Sequence, residues 1–423
     1  MISRRKFLTQ TGLAAVSLGV LKSRGESKDA QGMPKTSPGP ADNMLAGVVP
    51  INAADYEARL EKARMLMAAN NIDGLFIGGG TNLLYFANVS WWLSERPFGV
   101  VLSRKKAPVW ICPAFETQRA SEVVPALEEI RAWEEDESPY RLIGGIMKDL
   151  GAASGRLGLA PDLRSFETFG LRREVPSLEL VDGAVVTQGC RGVKTAKEIG
   201  YMDLANKITK MAYREAFKQI QVGMTPEDLS AAVSAAHQKL GVAGGGGPQF
   251  GANTAFPHGS RNPRISGQND IIMVDGGCSV ERYSSDVTRT IVFGMPTDKQ
   301  KKVWDIVKRA QTAALKAARP GAACGDVDHA ARKVIEDAGY GPGYKYFAHR
   351  LGHGIGMDGH EYPYLVKGNP LKLEPGMTFS NEPGIYIYGE FGVRVEDCMV
   401  VTEDGGRLLG GLESTAIDKP FGD

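Results

Sequence analysis

Residues 271–290 read IIMVDGGCSVERYSSDVTRT. The apolar run 271–274 has strand composition and closes on Asp275, and the next β-branched stretch opens on Asp286. Between them stand Gly276, Gly277, Ser284 and Ser285, residues that favour turns. A hairpin here would carry both carboxylates to one face of a sheet. An acid at the edge of an apolar strand is also commonly a solvated or turn-capping residue, so the pair alone leaves both readings open.

Two more acids have the same awkward setting. Glu382 lies in FSNEPGIYI and Glu396 in GVRVEDCMVV, each among residues that favour burial. A buried carboxylate is costly unless it is paired or bound to a metal. Ion pairs with Arg394 or Arg289 are one explanation. Histidine gives a second signal: the chain has only six, and three of them, His349, His353 and His360, fall in HRLGHGIGMDGHE at 349–361. Gly352, Gly354 and Gly356 make a regular helix there improbable and suit an extended backbone that approaches something closely. Four carboxylates with one imidazole form an oxygen-rich donor set. Such a set suits two divalent cations, manganese ahead of zinc, with iron and cobalt as alternatives. Two metals sharing bridging carboxylates activate a water for attack on a carbonyl.

At 423 residues the chain is too long for one ordinary core and reads as two domains. Over 51–185, short apolar runs (IDGLFIGG, FGVVLSR, APVWICPA, RLGLAPD, LELVDGAVV) alternate with helical patterns near 55–70, 116–124, 140–150 and 165–174. This alternation predicts an α/β domain. From 186 to 423 a second domain opens on a long helical pattern, VKTAKEIGYMDLANKITKMAYREAFKQI, followed by a helix capped by Thr225 with Pro226 in its first turn. Strand-like runs dominate beyond residue 245, interrupted by helices at about 298–317 and 325–338. Strands grouped apart from helices predict an α+β domain with a largely antiparallel sheet.

The N-terminus carries Arg4 and Arg5 ahead of an apolar run, 7–21, that is too short for a confident membrane span. This pattern resembles a twin-arginine export signal. We read 1–30 as the signal region and 31–50, rich in Pro, Gly, Ser and charge, as a disordered linker. The expectation is a periplasmic or otherwise exported protein that engages the twin-arginine machinery. Fifty basic and 49 acidic side chains nearly cancel, so no broad field attracts nucleic acid. The five cysteines have no C-x-x-C pair and read as small core residues.

The order and context of Asp275, Asp286, His353, Glu382 and Glu396 resemble the pita-bread metallopeptidases, especially the Xaa-Pro aminopeptidase and prolidase branch. VDGG, SSDVTRT, GHGIGMDGHE, NEPGIY and GVRVED carry the resemblance, which spans roughly 51–415. It implies a pita-bread fold for the α+β domain, with Asp275 chelating one metal, Asp286 and Glu396 bridging, and His353 with Glu382 on the other. It further implies that Glu382 relays a proton to the leaving nitrogen and that His258, in TAFPHG, lies near the leaving group. His349 and His360 would contact substrate and polarise its carbonyl, and Arg394 would be tied to the site's carboxylates. TNLLYFANVSWWLSERP, at 81–97, looks like the creatinase-type N-terminal domain. The implied substrates are short proline-containing peptides and the implied assembly is a homodimer or higher homo-oligomer. Creatinase lacks the metal ligands, all of which are present here. A metal-dependent lyase or amide hydrolase of small zwitterions on the same fold is the alternative chemistry, and a scaffold that binds peptides without cutting them is a weaker one. Trp91 and Trp92 fit domain-core packing or, more specifically, the rim of a substrate pocket. His237 and His329 fall in helical patterns and are expected to be structural or surface residues.

Overall fold

The computed structural model describes residues 43–422. The expected signal region, 1–30, and the expected linker as far as residue 42 lie outside the described residues. Residues 43–50 depart from the expectation of disorder. Met44, Leu45 and Val48 pack on the cluster around Tyr201, Met202 and Tyr283, and Tyr201 Oη donates to Val49 O. Three apolar side chains near the linker's end are enough to dock it.

The N-terminal part is a six-stranded mixed sheet in the order Glu129–Trp133, Val109–Pro113, Gly99–Ser103, Gly74–Gly78, Arg156–Leu159, Glu179–Asp182. The middle strands are buried along their whole length, which explains why they read as unbroken apolar runs. Helices Ala53–Ala69 and Ala184–Gly192 cover one face through Ala63, Met67, Val186 and Cys190. Pro139–Asp149 and Ser165–Glu174 cover the other through Ile143, Ile146, Met147 and Leu171. The run LELVDGAVV is a strand only as far as Asp182. Asp182 Oδ1 accepts from Ala184 N at 2.8 Å, and the chain turns at Gly183 into the helix Ala184–Gly192. Val186 and Cys190 thus pack in the N-terminal core, just past the junction expected at 185. The helical pattern near 116–124 shortens to a 3-10 turn, Ala114–Glu116, and Thr117–Ser121.

The C-terminal part is antiparallel throughout its three principal sheets. Val287–Val292, Ile271–Gly276 and Gly247–Phe250 form one, with Thr288 opposite Asp275. Glu361–Leu365, Gly352–Gly354, Thr378–Asn381, Asp397–Thr402 and Gly405–Leu408 form the second, and Gly384–Ile387 with Phe391–Arg394 the third. Helices Ala196–Phe217, Pro226–Lys239, Asp298–Ala317 and Cys324–Asp337 pack on these sheets. Thr195, Thr225 and Thr297 each cap the helix that follows by a reciprocal bond with the third residue in. The two parts are joined by buried polar contacts. Arg59 of the first helix donates to Glu198 Oε1 at 2.8 Å and Tyr283 Oη at 2.9 Å.

Candidate metal centre

The site lies where the three C-terminal sheets meet. Asp275 ends one strand and Asp286 precedes its partner, so the hairpin expected from 271–290 forms. The glycine-rich stretch 349–361 supplies a short strand, Gly352–Gly354, with His353 at its centre. Glu382 follows Thr378–Asn381, and Glu396 links Phe391–Arg394 to Asp397–Thr402. His258, Asp275, Asp286, His349, His353, His360, Glu382, Arg394 and Glu396 all line one cavity of about 190 Å³. Every candidate catalytic and metal-binding residue named from the sequence is therefore brought together. His237 and His329 lie elsewhere. His237 is buried between Val233 O at 2.9 Å and Thr209 Oγ1 at 3.4 Å, and His329 is exposed.

Donor atoms of Asp275, Asp286 and Glu396 converge within 4.8 Å, as do those of His353, Glu382 and Glu396. So do those of Asp286, His353 and His360. His353 Nδ1 lies 3.1 Å from Gly354 O, a group that only accepts, so the proton sits on Nδ1. The Nε2 lone pair then faces Glu382 Oε1 at 3.4 Å and Asp286 Oδ2 at 3.7 Å. Burial, followed by the neighbouring His360, pushes the His353 imidazole down to about 4, which keeps it neutral and free to ligate. Asp286 and Glu396 move the other way: burial first, then the neighbouring acids, raise both carboxyls well above the ordinary range. Burial also pushes Glu382 up to about 7, against the pull of Arg394. Clustered, desolvated carboxylates facing a neutral imidazole lone pair are what bound divalent cations would stabilise.

Arg394 offers one internal countercharge. Its Nη2 meets Asp275 Oδ2 at 2.8 Å, its Nε donates to Thr288 Oγ1 at 2.9 Å, and its Nη1 donates to Pro257 O and Tyr386 Oη. Thr288 Oγ1 is 2.8 Å from Asp275 Oδ1 and 2.6 Å from Glu396 Oε2, so one hydroxyl ties acids from two sheets. Tyr386 Oη is 2.8 Å from His349 Nε2, while His349 Nδ1 faces Arg350 O at 2.8 Å. Nδ1 thus carries the proton and Nε2 accepts from the tyrosine. Burial, then Arg394, pushes the His349 imidazole down to about 3. Arg289, an alternative partner for the acids, instead serves the layer behind them. It pairs with Asp397 at 2.8 Å and donates to Glu396 O, while Lys210 also meets Asp397 at 2.7 Å.

Sequence reasoning missed Thr288, Tyr386 and Arg350, which also lines the cavity. Strand alternation carried the first signal, because Asp286, Thr288 and Thr290 share a face. Tyr386 stood in the quoted NEPGIY stretch, but its hydroxyl's partners come from distant segments.

Residues 200–403 match metallopeptidase family M24, and residues 59–193 match the creatinase/prolidase N-terminal domain. The chain is 33% identical over 356 residues to the Xaa-Pro dipeptidase of Lactobacillus helveticus, covering 82% of this chain and 95% of the relative. The crystal structure of dipeptidase PepE from Mycobacterium ulcerans superposes with a TM-score of 0.80 at 32% identity, covering 85% of this chain and 96% of that one. That of the X-Pro aminopeptidase from Thermotoga maritima gives 0.70 at 27%, covering 82% and 96%. These matches agree with an α/β N-terminal domain followed by an α+β pita-bread domain. The family implies divalent metal ions, and the donor set fits them. The chain belongs to metallopeptidase family M24, with a creatinase/prolidase N-terminal domain ahead of its catalytic domain.

Proposed function

We propose that this metallopeptidase is an exopeptidase that hydrolyses the Xaa-Pro bond of short peptides with two divalent metal ions. The observation that carries the reading is the one cavity in which three carboxylate and imidazole donor groups overlap at Asp286, His353 and Glu396. The Xaa-Pro dipeptidases among the relatives supply the substrate class. Asp275 would hold one ion, His353 and Glu382 the other, and Asp286 and Glu396 would lie between them. Manganese suits this oxygen-rich set best. When bound, the ions supply Lewis acidity and an activated water for attack on a carbonyl.

The chain's own residues do the rest. Glu382 Oε1 accepts from Ser380 Oγ at 3.1 Å and Oε2 stands 4.0 Å from His349 Nδ1. That leaves its carboxylate in the cavity, able to take a proton from water and return it to the leaving nitrogen. His258, exposed on the cavity wall, would meet the leaving side, and His349 and His360 would hold the substrate carbonyl. Arg394 fixes Asp275 directly and Glu396 through Thr288. We further propose twin-arginine export from Arg4 and Arg5 and a homo-oligomeric assembly, both on the family and signal resemblances.

Assaying Ala-Pro beside Ala-Pro-Ala with manganese-reconstituted enzyme tests the reading. Release of alanine from at least one, abolished by chelation, is expected. Inertness toward both, with elimination or amide cleavage of small zwitterions instead, would overturn it.

A further inference from the structure

His360 stacks on His353, with ring centroids 3.6 Å apart and planes 16° from parallel. It lines the metal cavity but its ring makes no hydrogen bond to any described residue. His360 also lines a second cavity, of about 210 Å³, together with Asn82, Arg191, Asp358 and Glu361. The ring therefore borders open space, and its place depends on the stacking against His353 and on its backbone segment.

That segment, 355–361, is gripped by the N-terminal domain. Arg191, on the helix Ala184–Gly192, sets Nη2 at 2.5 Å from both Asp358 Oδ2 and Glu361 Oε2, and its Nη1 donates to Asn82 Oδ1 at 3.1 Å. Thr81 Oγ1 donates to the other oxygen of Asp358 at 2.6 Å. Lys194 Nζ meets Glu361 Oε1 at 2.7 Å, with side-chain exposures of only 2% and 7%. Two acids flanking His360 thus face two cations, with Glu361 buried between Arg191 and Lys194 and Asp358 at the solvent edge of the cluster. Met357, in the same segment, packs against the N-terminal core as well as the catalytic one.

We infer that Arg191 is a positioning residue: by clamping Asp358 and Glu361 it fixes the segment that presents His360 beside His353. The N-terminal domain then contributes to catalytic geometry without touching substrate. The inference rests on the Xaa-Pro hydrolase reading, in which His360 serves the substrate carbonyl. Outer partners of this kind typically change activity about 10–100-fold when removed.

The test uses Arg191→Gln, Arg191→Lys and Asp358→Ala, the last removing a side chain that is 41% exposed and so sparing the fold. With Ala-Pro as substrate, Arg191→Gln and Asp358→Ala should lower kcat roughly 10–100-fold while changing KM less. Arg191→Lys, which keeps the charge but loses the fork, should fall between them and the parent. Adding Arg191→Gln to His360→Ala should cost nothing further, because both act through one ring. In metal-free protein, amide exchange of 355–361 should quicken in Arg191→Gln and Asp358→Ala while that of 99–103 stays put. A full Arg191→Gln penalty persisting in the His360→Ala background, or unchanged exchange at 355–361, would overturn the clamp. If Arg191→Gln does not fold, Asp358→Ala carries both readouts. If the parent enzyme leaves both Ala-Pro and Ala-Pro-Ala intact, the substrate reading fails while the exchange measurement still decides the clamp.

Discussion

Stripping the metals and raising the pH should unfold this protein progressively. Glu382 has an ordinary carboxyl value of 4.5 when unfolded and about 7 in the folded, metal-free site. The folded state therefore binds its proton more tightly than the unfolded chain does. The stability this confers is complete below about pH 4.5 and is lost as pH rises through about 7. His349 and His353 run the other way, from 6.5 unfolded to about 3 and about 4 folded, so their cost is confined to acid and is gone above about pH 6.5. Between about pH 6.5 and 8 the titration of the metal site is left to its carboxyls. Glu382 then contributes a loss of ~1 kcal/mol, and Asp286 and Glu396, also raised, each add about 1.4 kcal/mol per pH unit while they keep a proton. Urea unfolding of chelated protein at both ends of this window measures the loss. Manganese-loaded protein should show none, and Glu382→Gln should reduce the slope of the metal-free protein. A metal-free stability that is flat or rising over this window would refute the reasoning.

Trp91 stacks on Phe98 at 3.9 Å within the N-terminal core, and neither it nor Trp92 lines the metal cavity of its own chain. Trp91→Ala should cost ~3 kcal/mol in urea unfolding and leave the KM of the folded enzyme unchanged, against the rim hypothesis. Trp92 is 51% exposed and covered by Arg119, so Trp92→Ala should alter stability far less. Replacing Arg4 and Arg5 with lysine should leave active enzyme in the cytoplasm, as cell fractionation would show. Equal periplasmic activity with and without the pair would contradict the export proposal.

What was legible in the sequence was whatever one side chain and its near neighbours could express. Acids on apolar strands announced a cost that something had to offset, and Asp275, Asp286, Glu382 and Glu396 do meet. The alternation over 51–185 pointed to an α/β domain, though not to the antiparallel pairing of its middle strands, and Thr225 marked the start of its helix. Legibility failed where two periodicities compete over a few residues, as at 178–186, where Gly183 rather than hydrophobicity decides the strand's end. It failed for residues 43–50, whose composition suggested disorder but whose apolar side chains have a distant surface to meet. It failed too for Thr288 and Tyr386, because a hydroxyl's value depends on partners that only the folded chain brings close. The Arg191 clamp was hidden for the same reason, since its partners lie far along the chain.

Metal stoichiometry, measured calorimetrically on chelated protein and on Asp286→Ala, is the decisive quantity. The parent chain should bind two manganese ions, with Ala-Pro hydrolysis returning as they bind. Asp286→Ala, which removes a donor common to two of the ligand groups, should stay folded yet lose metal and turnover together. Undiminished metal binding with near-normal turnover in that variant, or hydrolysis by fully chelated parent enzyme, would contradict the account.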